Sequence, residues 1–251
     1  RGGLPATIAR RTETGWRLTG RKIYSTGAPI LKWYAVWAKT DEQDTRVGQF
    51  LVPAGLPGTR IEETWDHLGL RASGSHTVVF DDVVFPLDYE IDVRKPDDWK
   101  VPDVTQATVH AIFVAAIYDG IARAARDWLV KFLKERVPAN LGAPLATLPR
   151  MQEVAGGIEA RLAVNARLID SFASDFDNGF PLSAIESNII KLTVTNNAAA
   201  VVEDALSLTS NHGLSRTNPL ERHYRDVLCG RVHTPQDDST RVAAGRFALG
   251  V

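Results

Sequence analysis

The sequence predicts an α+β protein with a strand-rich N-terminal part and a helical bundle after it. Three observations predict this. Up to about residue 93, short β-branched and aromatic runs alternate with Gly- and Pro-bearing turns, the pattern of a small barrel or sandwich. Beyond residue 103 apolar residues recur at steps of three and four, as on one face of a helix. Between the two, residues 94–103 are polar and hold Pro96 and Pro102, which marks a linker. The domains expected are therefore residues 1–95 and 104–251.

In chain order, residues 7–11 and 21–25 read as extended runs joined by a polar turn over Gly15-Trp16-Arg17-Leu18-Thr19-Gly20, a hairpin signature. Residues 33–38 and 47–52 suit strands with a buried face. Pro53, Gly55, Pro57 and Gly58 punctuate a loop, and residues 77–80 and 83–85 read as a further pair of short strands. Val109, Phe113, Ile117, Ile121, Ala124, Trp128 and Phe132 lay an apolar stripe along a first helix that Pro138 ends. Met151, Val154, Ile158, Leu162, Ile169, Phe172 and Phe176 form a second stripe, stopped by Asp177-Asn178-Gly179. Pro181 or Ser183 opens a third helix, with Leu182, Ile185, Ile189, Leu192, Ala199, Val202 and Leu206 as its stripe. Short helices around residues 219–226 and after Pro235 complete a bundle.

Composition excludes several classes. The 251 residues carry Lys+Arg 29 against Asp+Glu 30, a net charge of −1, which does not suggest a nucleic-acid or acidic-membrane partner. No apolar run approaches the roughly 20 residues of a membrane span, and Arg1-Gly2-Gly3 does not open a signal peptide. One cysteine, Cys229, excludes an internal disulfide and a Cys-based zinc site, and points to the reducing cytoplasm; no metal is expected. The common phosphate-cradling, zinc-protease and nucleophile-elbow motifs are missing.

Chemistry-bearing residues gather in three clusters. In Lys22-Ile23-Tyr24-Ser25-Thr26-Gly27-Ala28, the Thr26 hydroxyl and backbone N–H could face a polar heteroaromatic ring while Tyr24 covers it; an ordinary strand end reads the same way. Residues 65–76 form a polar loop with His67, Arg71 and His76, either a binding loop or a solvated connection. Residues 221–235 hold two histidines, three arginines and two carboxylates, fit for proton exchange and anion holding or for a corner tied by Arg–carboxylate pairs.

These clusters, in this order, resemble the acyl-CoA dehydrogenase superfamily of flavoproteins. Residues 15–28 resemble its "gyxLnGxKxWITnG" segment. Gln49-Phe50-Leu51-Val52-Pro53 resembles its "aFlVp", and Leu68-Gly69-Leu70-Arg71-Ala72-Ser73 with residues 79–86 resembles its "lGlraS…vFddVxVP". The resemblance implies a middle β-barrel domain, part of the flavin site, followed by a C-terminal four-helix-bundle-type domain for oligomerisation and the catalytic loop. The family's N-terminal helical domain is absent from these residues, which begin without Met. The resemblance also implies that Tyr24, Ser25 and Thr26 bind the flavin ring, with Tyr24 in place of a flanking Trp. Arg136 would hold the flavin pyrophosphate of a neighbouring subunit, in a homo-oligomer, most often a tetramer. Asn211-His212-Gly213 and Ser207 depart from the family's adenosine-side pattern, which leaves FAD or FMN open.

In the dehydrogenases a Glu eight residues after the Arg-Asp pair removes the substrate α-proton; counted from Asp226 that position is Thr234. His233 lies seven residues after Asp226, as in the two-component flavin monooxygenases of the superfamily. The expectation is an oxidoreductase, a monooxygenase using reduced flavin and O₂ on a small molecule, with His233 as acid/base and a separate flavin reductase as a possible partner. The alternatives are an acyl-CoA dehydrogenase or oxidase whose base is relocated to Asp237 or Asp238, and a flavin-binding or structural remnant.

Overall fold

The computed structural model describes residues 4–100, 103–181 and 183–251. Arg1, Gly2, Gly3, Pro102 and Leu182, on which the sequence reading drew, lie outside the described residues. The chain forms two compact units, Arg1–His67 with Arg71–Pro102, and Leu68–Leu70 with Asp103–Val251.

The first unit is a seven-stranded sheet of β1 (Ile8–Arg11), β2 (Trp16–Ser25), β3 (Trp33–Thr40), β4 (Val47–Pro53), β5 (Thr59–Glu62), β6 (His76–Phe85) and β7 (Glu90–Arg94). Its order is β5-β6-β2-β1-β3-β4-β7. Only β1 and β3 pair in parallel; the other neighbours are antiparallel. Among the described residues of this unit no long helix covers the apolar face, and the sheet curves around its own core. Trp16 on β2 meets Phe50 on β4 edge-on at 5.1 Å, and Phe50 meets Phe85 on β6 at 6.2 Å.

Three sequence expectations are corrected here. The turn of the first hairpin is residues 12–15, closed by Thr12 N–H donating to Gly15 O at 2.9 Å. Residues 16–20 belong to β2, because Trp16 and Leu18 alternate into the core and are fully buried. Residues 77–80 and 83–85 are one strand, β6, not two; Asp81 and Asp82 look like a turn, yet both face water at an irregularity while the ladder continues. The polar segment after β7 is not a bare connection. Pro96–Lys100 forms a 3₁₀ turn whose Trp99 donates to Val47 O at 2.7 Å and packs edge-on to Trp37 at 4.5 Å.

The second unit contains α1 (Val104–Glu135), α2 (Pro149–Asp177), α3 (Ala184–Thr209), the single turn α4 (Asn211–Leu214), α5 (Pro219–Val227) and α6 (Asp237–Leu249). Asp103 caps α1 by accepting from Gln106 N–H at 3.0 Å. Of the two candidate starts for the third helix, Ser183 is the cap, accepting from Glu186 N–H at 3.2 Å.

The face that α1 buries differs from the stripe read in the sequence. Thr108, Ala111, Ala115, Tyr118, Ala122, Ala125, Leu129 and Leu133 point inward, while Phe113 and Ile117 stay 66% and 55% exposed. Large side chains dominated the periodicity, but helices that approach closely do so across small ones. Ala198, Ala199 and Ala205 of α3 join the same core. α1 also has the length and composition of a membrane-crossing helix, with a window of mean hydropathy 1.3, where the sequence reading found no such run. Gln106, His110 and Asp119 interrupt every continuous stretch, while Ala, Val and Ile raise the average. Its place is that of a bundle-core helix, with Thr108 and Asp119 on the buried face.

Leu129→Ala is expected to cost about 2–5 kcal/mol of unfolding free energy. Phe113→Ala is expected to change the unassociated chain by less than about 0.5 kcal/mol. Denaturant titration at low protein concentration checks both; the reverse order would restore the sequence-based face.

Candidate functional site

In the sheet unit, β2 loses register with β6 between Lys22 and Ser25. Tyr24 there has φ +55°, a conformation that costs an aromatic residue energy and recurs at functional positions. The irregularity turns the Tyr24 ring outward, 62% exposed, edge-on to Trp65 at 6.1 Å and to His67 at 5.8 Å. Trp65 and His67 stack on each other at 3.7 Å. A hollow of about 300 Å³ beside them is lined by Arg21, Tyr24, Thr64, His67, Ser75 and Thr77, among others.

Next to Tyr24, three hydroxyls form a chain: Ser73 to Ser75 at 2.7 Å and Ser75 to Thr26 at 2.9 Å. It ends on Thr26, which is exposed. Contrary to expectation, the Thr26 backbone N–H is engaged, donating to Tyr24 O at 3.0 Å, while Gly27 N–H donates to Ser73 O at 2.8 Å. Ser25 turns its hydroxyl back onto Lys22 O at 3.1 Å. His76 accepts from Trp65 N–H through Nδ1 at 3.1 Å, which makes it a loop fastener. An exposed threonine beside exposed aromatic side chains suits a flat polar heteroaromatic ring.

In the helical unit much of the charged third cluster is structural. Arg225 pairs with Glu221 at 2.8 Å and donates to Leu68 O at 2.8 Å. Asp226 accepts from Leu70 N–H at 2.7 Å. Gly69 lies so close to α5 that a Cβ would sit 2.2 Å from Arg225 O, so only glycine fits. Cys229 is half-buried and burial pushes its thiol pKa up, the behaviour of a packed side chain.

His233 is different. It follows the 3₁₀ turn Leu228–Arg231, and its N–H and that of Val232 both donate to Cys229 O at 3.2 Å. Its Nδ1 lies 2.7 Å from Tyr118 Oη. Tyr118 is fully buried on α1, and burial drives its pKa up, so it stays protonated. With the phenol donating, Nδ1 accepts and Nε2 carries the proton; this tautomer is assigned from the hydrogen bonding. The His233 pKa lies below the ordinary histidine value, chiefly through partial burial, then through Lys191 and His110. The residue nevertheless keeps an exposed edge.

Of the two relocated carboxylates, Asp237 is hemmed in by neighbours and Asp238 is exposed. Asp237, at the start of α6, accepts from Asn196 Nδ2 at 3.0 Å and lies 3.7 Å from Lys191 Nζ and 3.9 Å from Arg241. Asp238 accepts from Ser239 N–H at 2.8 Å. Arg136 caps α1 through its backbone; its side chain is exposed and forms no ion pair among the described residues. It stands eighteen residues beyond Tyr118, about 27 Å along the helix, so Arg136 and His233 serve different places. Sequence reasoning missed Tyr118, His110 and Lys191, whose positions read as ordinary helix.

Residues 2–83 match the middle domain of acyl-CoA dehydrogenases and residues 103–237 match their C-terminal domain. The chain belongs to the acyl-CoA dehydrogenase family. YdbM of Bacillus subtilis (strain 168), named as an acyl-CoA dehydrogenase, is 34% identical over 98% of this chain and 64% of its own length. The L-evernosamine nitrososynthase of Micromonospora sp. is 35% identical over 94% of this chain and 58% of its own length. The solved structure of KijD3 in complex with FMN and dTDP-3-amino-2,3,6-trideoxy-4-keto-3-methyl-D-glucose superimposes with a TM-score of 0.83 at 29% identity, covering 97% of this chain and 62% of that one. The chain thus spans 58–64% of the length of these relatives.

Both His233 and His223 titrate below an ordinary histidine, His223 through burial first and Arg222 next. The unfolded chain therefore binds protons before the folded one, and stability is lost as pH falls below about 6.5 toward the folded values. The double variant His223→Asn/His233→Asn is expected to flatten this dependence, read as the denaturation midpoint against pH.

Proposed function

We propose that the protein is a flavin-dependent oxidoreductase that uses reduced flavin and O₂ to oxygenate a small organic molecule, with His233 as acid/base. The observation that carries the reading is the His233 imidazole, held by Tyr118 through Nδ1 in a residue that is otherwise exposed. It adjoins Thr234, the position where the family resemblance expects a carboxylate base. Imidazole is the side chain suited to giving a proton and taking it back in such a reaction. The nitrososynthase relative and the KijD3 complex with FMN and an amino sugar nucleotide support this reading, and make a dTDP-amino sugar the first substrate class to test.

Flavin, FAD or FMN, is the cofactor of this reading, and the sheet-unit residues fit its ring. Bound, it would supply the electrons with which O₂ is activated. Thr26 would donate to the ring from the outer end of its hydroxyl chain, Tyr24 would flank it, and Ser25 would fix the backbone between them. Arg136, exposed at the end of α1, would meet the flavin phosphate of a neighbouring copy, which requires a homo-oligomer, a tetramer in this reading. A separate flavin reductase and a cytoplasmic setting complete the proposal.

The dehydrogenase reading has YdbM in its favour. Against it, Asp237 is held beside Lys191 and Asn196, and neither it nor Asp238 stands at the place the resemblance gives the base. No desaturation of saturated acyl-CoA thioesters with an artificial electron acceptor is therefore expected; robust turnover would overturn the oxygenase assignment. His233→Asn is expected to leave flavin affinity and thermal stability nearly unchanged while coupled product formation falls about 10²- to 10⁴-fold, with reduced flavin going to hydrogen peroxide. His223→Asn should remain coupled, and if instead it uncouples while His233→Asn does not, the acid/base has been misplaced.

Arg136→Ala is expected to weaken flavin binding roughly ten- to a hundredfold, the scale of a hydrogen bond to a charged group. Flavin titration combined with light scattering checks this, and a monomer that binds flavin tightly would contradict the shared site.

A further inference from the structure

We propose that Lys191 is the positioning residue of His233, a buried ammonium that clamps the turn presenting the imidazole; the inference rests on the reading of His233 as the reactive group. Lys191 sits on α3 and is 0% exposed. A lysine sealed in a bundle is costly unless its charge is met. Its Nζ donates to Gly230 O at 2.8 Å and to His233 O at 3.0 Å. Both acceptors belong to the turn between α5 and α6. One precedes the imidazole and the other is the histidine's own carbonyl, so a single side chain sets the backbone on which the ring swings.

The surroundings supply the rest of the clamp. Asp237 lies 3.7 Å away as counter-charge, and Asn196, one turn along α3 from Leu192, holds its other oxygen at 3.0 Å. Gly230 is buried against the Tyr118 ring, where a Cβ would meet Cγ at 3.2 Å. The turn is therefore pressed on α1 while it is pulled toward α3. Tyr118 and His110 of α1, Lys191 of α3 and Asp237 of α6 are the titratable groups around His233, with Arg241 reaching the same carboxylate. Lys191 is not placed to exchange protons with a substrate, because its donors point at backbone; it acts through the histidine.

Lys191→Met keeps the length of the side chain and removes the charge. NMR titration of the full protein, with the His233 resonance assigned by its loss in His233→Asn, is the readout. The His233 pKa is expected to rise by roughly half a unit or more toward the ordinary value, because a cation leaves and water enters; His223 should stay where it is. A folded variant with His233 unmoved would overturn the proposal, as a merely structural lysine predicts. Should Lys191→Met fail to fold, the unmodified protein decides. Slowly exchanging Lys191 ammonium protons, coupled across hydrogen bonds to the carbonyl carbons of Gly230 and His233, are expected. An ammonium exchanging freely with solvent would sink the idea. Neither readout uses turnover, so a failure of the oxygenase reading, seen as coupled activity in His233→Asn, remains distinguishable.

Discussion

The turn between α5 and α6 has no ladder of its own, so whatever fixes it must come from neighbouring helices. Tyr118 and Lys191 provide that hold, one on the imidazole and one on the backbone. Burial makes both unusual: it keeps the phenol protonated and lowers the lysine pKa, with Asp237 partly offsetting the second effect. Their burial depends in turn on the close approach of α1 and α3 across alanines. The small residues of the core and the placement of His233 are thus parts of one arrangement.

The sheet unit solves a different problem. A sheet that covers its own core must curve, and its ladder is irregular at two places where β2 meets β6 and at one where β4 meets β7. One of them sets Tyr24 at φ +55° and brings Trp65, His67 and the Thr26 hydroxyl chain beside it. Strain there is held by the continuous pairing on either side, since β6 also pairs with β5.

How much of this was legible depended on the signal involved. β3, β4 and the ends of the long helices were readable, because β-branched runs and caps are local features. β2 and β6 were broken too early, because Gly20 and Asp81-Asp82 mimic turns while the tertiary ladder runs through them. The buried face of α1 was misplaced because Phe113 and Ile117 outweigh alanines in any count of periodicity. His233 was singled out only through the family resemblance, by its place seven residues after Asp226, but Tyr118 is 115 residues away from it and Lys191 is 42, and nothing local distinguishes either from a core position. The Thr26–Ser75–Ser73 chain was equally hidden, since it forms only once β2 and the loop before β6 are side by side.

Oxygen transfer is the central claim, and isotope labelling tests it most directly. The protein would be mixed with reduced FMN or FAD, a dTDP-amino sugar and ¹⁸O₂, and the product analysed by mass spectrometry. The account predicts ¹⁸O in the product, lost when His233 is replaced. Oxidised product free of the label, formed equally well without O₂ when another electron acceptor is present, would contradict it and return the chain to the dehydrogenases.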